Sequence, residues 1–227
     1  MKKKLLLLCF PFLFSVVLHG QVMANQVDDF EDGTTENWFG ANGNYMNIST
    51  GGPAGANDSY LQNISTGTGG PGSRMVIRNI IQWIGNYTSE GVVAIRMNVR
   101  AIDSDMNVRV SITGGGGKFS SSSSKLVTAG SGWTNVEIPV SVGDLVAVSD
   151  GMDGVPGTDA ALTLSSATEI RILSSDIPAW RGAIIDGEMH LDNIEAATSL
   201  SIADVTNITS FNIYPNPGKV KMNIALN

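Results

Sequence analysis

Hydrophobic and polar residues alternate along much of the chain with the period of two that sends successive β-strand side chains to opposite faces. The clearest runs are 92–101 and 106–113, where every second residue is apolar and arginine and asparagine lie on the opposite face. Asp103, Ser104 and Asp105 separate the two runs and predict a hairpin turn. Further strands are predicted at residues 27–31, 45–49, 59–64, 74–80, 120–127, 133–140, 168–173 and 184–195.

No segment shows the period of an amphipathic helix, and residues 143–159 are predicted as a loop. Gly114 to Gly117 lack the further glycine and the Ser or Thr that a phosphate-binding loop needs around Lys118, so we interpret them as a hairpin tip. Many short strands with glycine- and serine-rich turns predict an all-β, two-sheet antiparallel β-sandwich. The chain after residue 24 is long enough for one such domain.

Residues 1–24 have the organisation of a signal peptide, with Lys2 to Lys4, an apolar run to about Leu18, and small residues that suit cleavage after Ala24. The apolar run is shorter than the roughly 20 residues that span a bilayer, so no membrane anchor is expected. Removal of this segment takes the formal charge from −7 to −10, which argues against a nucleic-acid partner. Cys9, the only cysteine, is removed with the signal peptide, so disulfides and thiol chemistry are excluded in the mature chain.

Two motifs bracket the strand-rich region: Phe30-Glu31-Asp32-Gly33 followed by Trp38, and His190-Leu191-Asp192-Asn193-Ile194-Glu195. Together they resemble the jelly-roll β-sandwiches of the galactose-binding-like group, which includes many carbohydrate-binding modules and laminin-type domains. The resemblance covers residues 27–197, within a predicted domain of residues 25–197. It implies a jelly roll with adjacent N- and C-terminal strands beside a structural calcium ion.

The same resemblance implies the calcium ligands. Glu31 and Asp192 match the family's acidic positions on the first and last strands, and Asp58 lies in a segment that resembles an oxygen-donating loop. Calcium takes six to eight oxygen ligands, which carboxylates can supply in part. The alternative, that these are ordinary turn and edge carboxylates, remains open.

Carbohydrate recognition normally uses exposed aromatic rings. The family usually buries an aromatic at the positions of Trp38 and Trp133, so both are expected in the core. Trp83 and Trp180 are predicted on loops at the rim of the sandwich, where they are candidates for sugar binding, with Tyr45 and Tyr87 as secondary candidates. Aromatic side chains that merely cover the core explain the pattern equally well.

Arg96, Arg100 and Arg109 are predicted to share a polar face with Asn98 and Asn107. Guanidinium groups bind carboxylates or sulfates in bidentate fashion, so this face fits an acidic polysaccharide. Solvated strand positions that pair with nearby carboxylates are the alternative.

Catalysis has little support in the residues. His190 is the only histidine after the signal peptide, so Ser-His-Asp, Cys-His and multi-histidine metal sites lack members. No pair of carboxylates lies in a recognisable catalytic motif. We therefore expect a binding protein rather than an enzyme.

After a predicted linker at residues 198–209, Tyr214-Pro215-Asn216-Pro217 resembles the opening of the C-terminal sorting domain of the type IX secretion system of certain Gram-negative bacteria. Residues 210–227 would be a truncated copy. The resemblance implies the secretion machinery as a partner and a location outside the cell or at its surface.

The sequence therefore predicts a secreted, monomeric, calcium-stabilised domain that binds a polysaccharide or surface glycan, or mediates adhesion, without catalysis. A laminin-type structural or protein-adhesion domain without a sugar site is the alternative. A polysaccharide-active enzyme is the third possibility.

Overall fold

The computed structural model describes residues 20–152 and 154–201. Two antiparallel sheets pack face to face around one hydrophobic core, which confirms the prediction of an all-β jelly-roll sandwich. The strands are β1 (Val27–Asp28), β2 (Tyr45–Ile48), β3 (Tyr60–Thr66), β4 (Val76–Asn79), β5 (Ala94–Ala101), β6 (Met106–Gly114), β7 (Gly117–Ser121), β8 (Lys125–Val127), β9 (Thr134–Pro139), β10 (Leu145–Ala147), β11 (Ala167–Ser174) and β12 (Asp186–Ala197).

Sheet A has the strand order β2-β3-β12-β5-β9, with β1 paired to β12, and sheet B has the order β10-β7-β6-β11-β4, with β8 paired to β6. Val27 lies opposite Glu195 and Asp28 opposite Ile194, so the first and last strands are neighbours, as predicted. The long strand β12 joins β1, β3 and β5 and organises sheet A.

The two clearest alternating runs form β5 and β6, and their apolar faces meet in the core between the sheets. The predicted hairpin at residues 103–105 is wrong, because β5 belongs to sheet A and β6 to sheet B. Alternation records only that each strand has one buried face. It is the same whether consecutive strands pair with each other or cross to the opposite sheet.

Residues 143–159, predicted as a loop, contain β10 and the end of a short 3₁₀ turn at Val142–Asp144. The helix α1 follows directly at Ala160–Ser165. Asp159 caps α1 by accepting a hydrogen bond from the Leu162 N–H at 2.9 Å. A helix of six residues is too short to show a periodic pattern in the sequence.

The packed region extends to the N-terminal side of residue 25, because Val22 is 2% exposed within the core and its N–H donates to the Ile84 carbonyl. Residues 1–19 of the predicted signal peptide, and residues 202–227 with most of the predicted linker and all of the predicted sorting tail, lie outside the described residues. No helix in the described parts of the chain is long and apolar enough to cross a membrane.

Candidate functional site

The outer face of sheet A carries a group of aromatic and charged side chains, Tyr60, Arg100, Trp133 and His190, which we call the aromatic cluster. The ring centroids of Tyr60 and Trp133 lie 5.4 Å apart, edge to face, and those of Tyr60 and His190 lie 4.7 Å apart. The Arg100 guanidinium lies over both aromatic rings, 4.8 Å from the Trp133 centroid and 5.3 Å from that of Tyr60. At these distances the cation is attracted to the faces of both rings.

Hydrogen bonds fix the charged members of the aromatic cluster. Arg100 Nη2 lies 2.9 Å from His190 Nδ1, and Arg100 Nε donates to the same atom at 3.2 Å. Because a guanidinium only donates, Nδ1 accepts, and Nε2 carries the proton that it donates to Glu188 Oε2 at 2.9 Å. Gln62 Nε2 donates to the same carboxylate oxygen at 2.7 Å. Burial lowers the pKa of His190, although the hydrogen bond to Glu188 opposes this shift. The lowered pKa favours the neutral ring.

A groove of about 520 Å³ continues this face beyond the aromatic cluster. Asn98 Nδ2 donates to Asn135 Oδ1 at 2.5 Å across two adjacent strands. Beyond them, Arg96 pairs with Glu137 at 2.7 Å and with Glu195 at 3.5 Å. The face therefore combines flat rings with amide and charged groups whose directions are fixed by their partners.

Trp133 bridges the two edges of sheet A. It directly precedes the edge strand β9, yet its Nε1 donates at 3.1 Å to the carbonyl of Gly51, in the loop that follows the opposite edge strand, β2. The expectation that Trp133 lies in the core is wrong, because its ring stands on the outer face and is partly exposed. The signal for this was in the sequence, since Trp133 shares the alternation of Asn135 and Glu137.

Trp83 and Tyr87 are fully buried. The prediction that Trp83 stands at an exposed rim is therefore wrong, and so is the choice of Tyr87 as a secondary candidate for sugar binding. Trp83 packs against Trp38, with centroids 5.7 Å apart, and its indole N–H donates to Asp28 Oδ2 at 2.6 Å. The Tyr87 hydroxyl donates to the Trp83 carbonyl at 2.8 Å. The burial of Trp38 confirms its predicted place in the core.

Arg109 does not share a face with Arg96 and Arg100, because it lies on sheet B. It is 4% exposed and donates to the backbone carbonyls of Ser175, Ser121, Ser122 and Asp176. The prediction of a common arginine face is therefore wrong. It relied on the hairpin that does not form.

Trp180 also lies over sheet B, away from the aromatic cluster, where it is partly buried. Its Nε1 donates to Thr113 Oγ1 at 2.9 Å, and the Arg171 guanidinium lies 3.3 Å from its ring centroid. Trp83 and Trp180 therefore do not line one groove.

The three carboxylates predicted to bind calcium are already engaged by nearby groups. Glu31 Oε1 accepts from the Ser59 N–H at 2.6 Å, and Asp58 Oδ2 accepts from the Ala54 N–H at 2.5 Å. Asp192 is 1% exposed and accepts from the backbone and side-chain N–H groups of Asn193.

Burial, and then the charges of Asp58, Glu31 and Asp29, raise the pKa of Asp192 to about 7. Within residues 20–152 and 154–201, no Lys or Arg forms an ion pair with Glu31, Asp58 or Asp192. In that same part of the chain, no three His, Cys, Asp or Glu side chains form a group that could hold a metal ion by themselves. Calcium at this position would therefore need backbone carbonyl oxygens or water among its ligands.

No protein-family model matches the chain, and no curated protein matches it. Among solved structures it resembles an exo-β-agarase, with a TM-score of 0.52 and 14% identity over 76% of this chain and 25% of that one. It also resembles a second agarase, with a TM-score of 0.50 and 14% identity over 78% of this chain and 26% of that one. A family 11 carbohydrate-binding module from Clostridium thermocellum, in complex with a β-1,3-1,4-mixed-linked tetrasaccharide, has a TM-score of 0.48 and 18% identity over 80% of this chain and 99% of that one.

At these identities the likenesses show the fold alone. The chain spans about a quarter of the length of the two agarases.

Proposed function

We propose that this chain is a non-catalytic glycan-binding domain and that the sugar lies on the outer face of sheet A. The observation that carries the proposal is the aromatic cluster beside the polar groove, with Trp133 and Arg100 both partly exposed on that face. A partly exposed indole provides an apolar surface for a sugar ring. Asn98 and Asn135, in the adjoining groove, offer donors and acceptors for its hydroxyl groups.

The absence of catalysis is part of the proposal. Burial by itself would raise the pKa of Glu137, but its hydrogen bonds to Arg96 and Ser201 lower it overall, so this carboxylate is ionised and unsuited to act as a general acid near neutral pH. Glu188 is held by His190 and Gln62. The fold's likeness to a quarter of each agarase chain is consistent with an accessory domain.

We also propose a structural calcium ion at Glu31, Asp58 and Asp192. The buried carboxylate of Asp192 lies near other acidic groups and lacks a cationic partner among the described residues. A divalent cation would offset this repulsion and hold the first and last strands to the loop that contains Asp58. Export by the type IX machinery to the cell surface or medium is likewise part of the proposal, and it rests on the sequence motifs alone.

The direct test of glycan binding is a glycan-array screen of residues 20–227, which keep the buried Val22, followed by calorimetry on any glycan that binds. We expect Trp133→Ala to weaken binding by about tenfold or more, because it removes the exposed ring. Arg100→Ala should weaken it less. Trp180→Ala is the matched control for neutral glycans, since it removes a partly buried tryptophan from the other sheet, and it should bind neutral glycans like the parent.

Circular dichroism and the unfolding midpoint of each variant establish that it is folded. Loss of neutral-glycan binding in Trp180→Ala but not in Trp133→Ala would place the site on sheet B and contradict the proposal. Failure of the folded, calcium-loaded parent to bind any glycan would favour the adhesion alternative.

A further inference from the structure

Basic side chains gather on the outer face of sheet B, although the chain as a whole has a formal charge of −7. Arg78 on β4 and Arg171 on β11 are cross-strand partners, and both contact Glu169 Oε1, at 3.4 and 2.9 Å. One carboxylate oxygen thus serves two guanidinium groups. Arg171 is further stabilised by the Trp180 ring, 3.3 Å from its guanidinium carbon.

Around Glu169, the two guanidinium groups of Arg78 and Arg171 carry more positive charge than the one carboxylate can balance. Burial is the main cause that lowers the pKa of Arg171, and the nearby charges of Arg78 and Arg181 lower it further, against the opposing effect of Glu169. Mutual repulsion among guanidinium groups is relieved by an added anion.

A groove of about 490 Å³ adjoins the arginines, between residues 147–151 and 175–183. Arg74 and Arg181 both line it, and neither forms an ion pair within the described parts of the chain. Arg74 Nη1 donates a hydrogen bond to the Gly182 carbonyl at 2.8 Å. Asp150, the carboxylate that lines the groove, is paired with Lys118 at 3.1 Å.

The wall that carries Arg181 is held in place by sheet B. Arg109 donates to the carbonyls of Ser175 and Asp176, at 2.9 and 3.0 Å. Ser111 Oγ donates to the Ala179 carbonyl at 2.6 Å. The groove is therefore built on a fixed frame rather than on a free loop, which reduces the entropy that binding must remove.

We propose that this groove is a second binding site, which takes the oxyanion of an acidic glycan, a sulfate ester or a uronate carboxylate, between Arg74 and Arg181. A guanidinium group can donate two parallel hydrogen bonds, either to the planar carboxylate of a uronate or to two oxygens of a tetrahedral sulfate ester. Anion binding depends only on the Arg74 and Arg181 side chains. The choice of a glycan as the carrier rests on the proposed function.

The first experiment is an NMR titration of residues 20–227 with sodium sulfate and with sodium acetate, against sodium chloride at equal ionic strength. We expect saturable shifts at residues of the groove that chloride does not produce. Calorimetry then compares a sulfated oligosaccharide and an oligouronate with a neutral oligosaccharide of the same length.

Arg181→Gln and Arg74→Gln should each weaken anion binding by about tenfold, the loss expected for one charge-assisted contact. Arg78→Gln is the matched control, because Arg78 lies on the same face but is held by Glu169 and the Phe39 ring and does not line the groove. It should weaken anion binding far less than either of the other two substitutions. Shifts no larger than those with chloride, or equal losses in all three variants, would overturn the anion site.

Trp133→Ala separates this inference from the proposed function. If anion binding survives in Trp133→Ala while neutral glycans no longer bind, both sites are supported. If Trp133→Ala abolishes anion binding, the anion lies beside Arg100 on sheet A and the inference fails while the proposed function stands. Binding of inorganic anions without binding of either acidic oligosaccharide would overturn the glycan carrier.

Discussion

Asp28 shows at the scale of one residue why exposure is hard to predict from sequence. Its Oδ2 accepts hydrogen bonds from the indole N–H groups of Trp38 and Trp83 and from Gln82 Nε2. The polar end of Trp83 is therefore satisfied inside the protein, so the whole side chain can be buried. A tryptophan in a turn-like segment predicts an exposed ring only when no internal partner exists for its N–H.

We expect Asp28→Ala to destabilise the folded protein by about 3 kcal/mol, because it leaves two buried indole donors without their acceptor. Guanidinium unfolding followed by tryptophan fluorescence measures this change. Asp29→Ala, at the exposed neighbouring position, is the control and should change stability by less than about 0.5 kcal/mol in chelator. Equal effects of the two substitutions would contradict the structural role of Asp28.

Glu36 should give the protein a pH-dependent stability. Burial, and then the charge of Asp28, raise the pKa of Glu36 to about 8 from an ordinary 4.5. Its Oε1 accepts from the Phe30 N–H, whereas its buried Oε2 has no hydrogen-bond partner in the described region. Between these two pH values the folded protein holds a proton that the unfolded chain has lost, so stability falls as the pH rises.

The test is the unfolding free energy of the parent and of Glu36→Gln from pH 5 to pH 8. The parent should lose stability by up to about 1.4 kcal/mol per pH unit from this group, and the variant should show a flatter profile. Parallel profiles would show that Glu36 does not hold a proton in the folded state.

At the scale of the elements, alternation predicted the strands well and their pairing poorly. The predicted runs 92–101 and 106–113 became β5 and β6 almost unchanged, yet they lie in different sheets. Strand formation depends on neighbouring residues, whereas pairing depends on distant strands such as β12, which lies between β3 and β5. The predicted hairpin tip at Gly114 to Gly117 is confirmed, because β6 and β7 pair through that turn.

The same hairpin tip packs closely on the cap of α1. A Cβ atom on Gly116 would lie 1.8 Å from the Asp159 carbonyl oxygen, whereas one on Gly143 would meet nothing within 4 Å. We expect Gly116→Ala to destabilise the protein by about 1–3 kcal/mol and Gly143→Ala to change it little. Thermal unfolding of both variants checks this, and a tolerated alanine at Gly116 would mean that the hairpin and helix do not approach as described.

At the scale of the whole molecule, the two ends of the domain meet in sheet A, where β1 pairs with β12. The Glu31, Asp58 and Asp192 carboxylates come from opposite ends of the chain, so they interact only because the jelly roll closes in this way. The elevated pKa of Asp192 is a consequence of that closure.

Calcium should therefore matter most above the pKa of Asp192. In chelator, stability should fall as the pH rises from about 4 to 7, because the folded state keeps the Asp192 proton longer than the unfolded chain does. At pH 8, calcium at 100 times its dissociation constant should stabilise the parent by about 2.7 kcal/mol. Asp192→Asn should lose most of this gain, yet remain as stable as the parent in chelator.

Asp32→Asn is the control, because Asp32 is an exposed acidic residue of the same N-terminal segment whose carboxylate binds Thr34. It should retain the full response to calcium. A parent whose unfolding midpoint is the same in calcium and in chelator at pH 8 would contradict the calcium site.

The sequence by itself determined that the chain is a β-sandwich, because strand periodicity and turn composition are local properties that follow from the backbone. It also placed Arg100 on the polar face of its strand, and its two end motifs indicated adjacent terminal strands. Only the tertiary structure decided which polar residues share a face: it separated Arg109 from Arg100, buried Trp83 against Asp28, and brought Trp133 onto Tyr60. A binding face is assembled from strands distant in the chain, so its membership depends on the order of strands in each sheet, which local patterns do not specify.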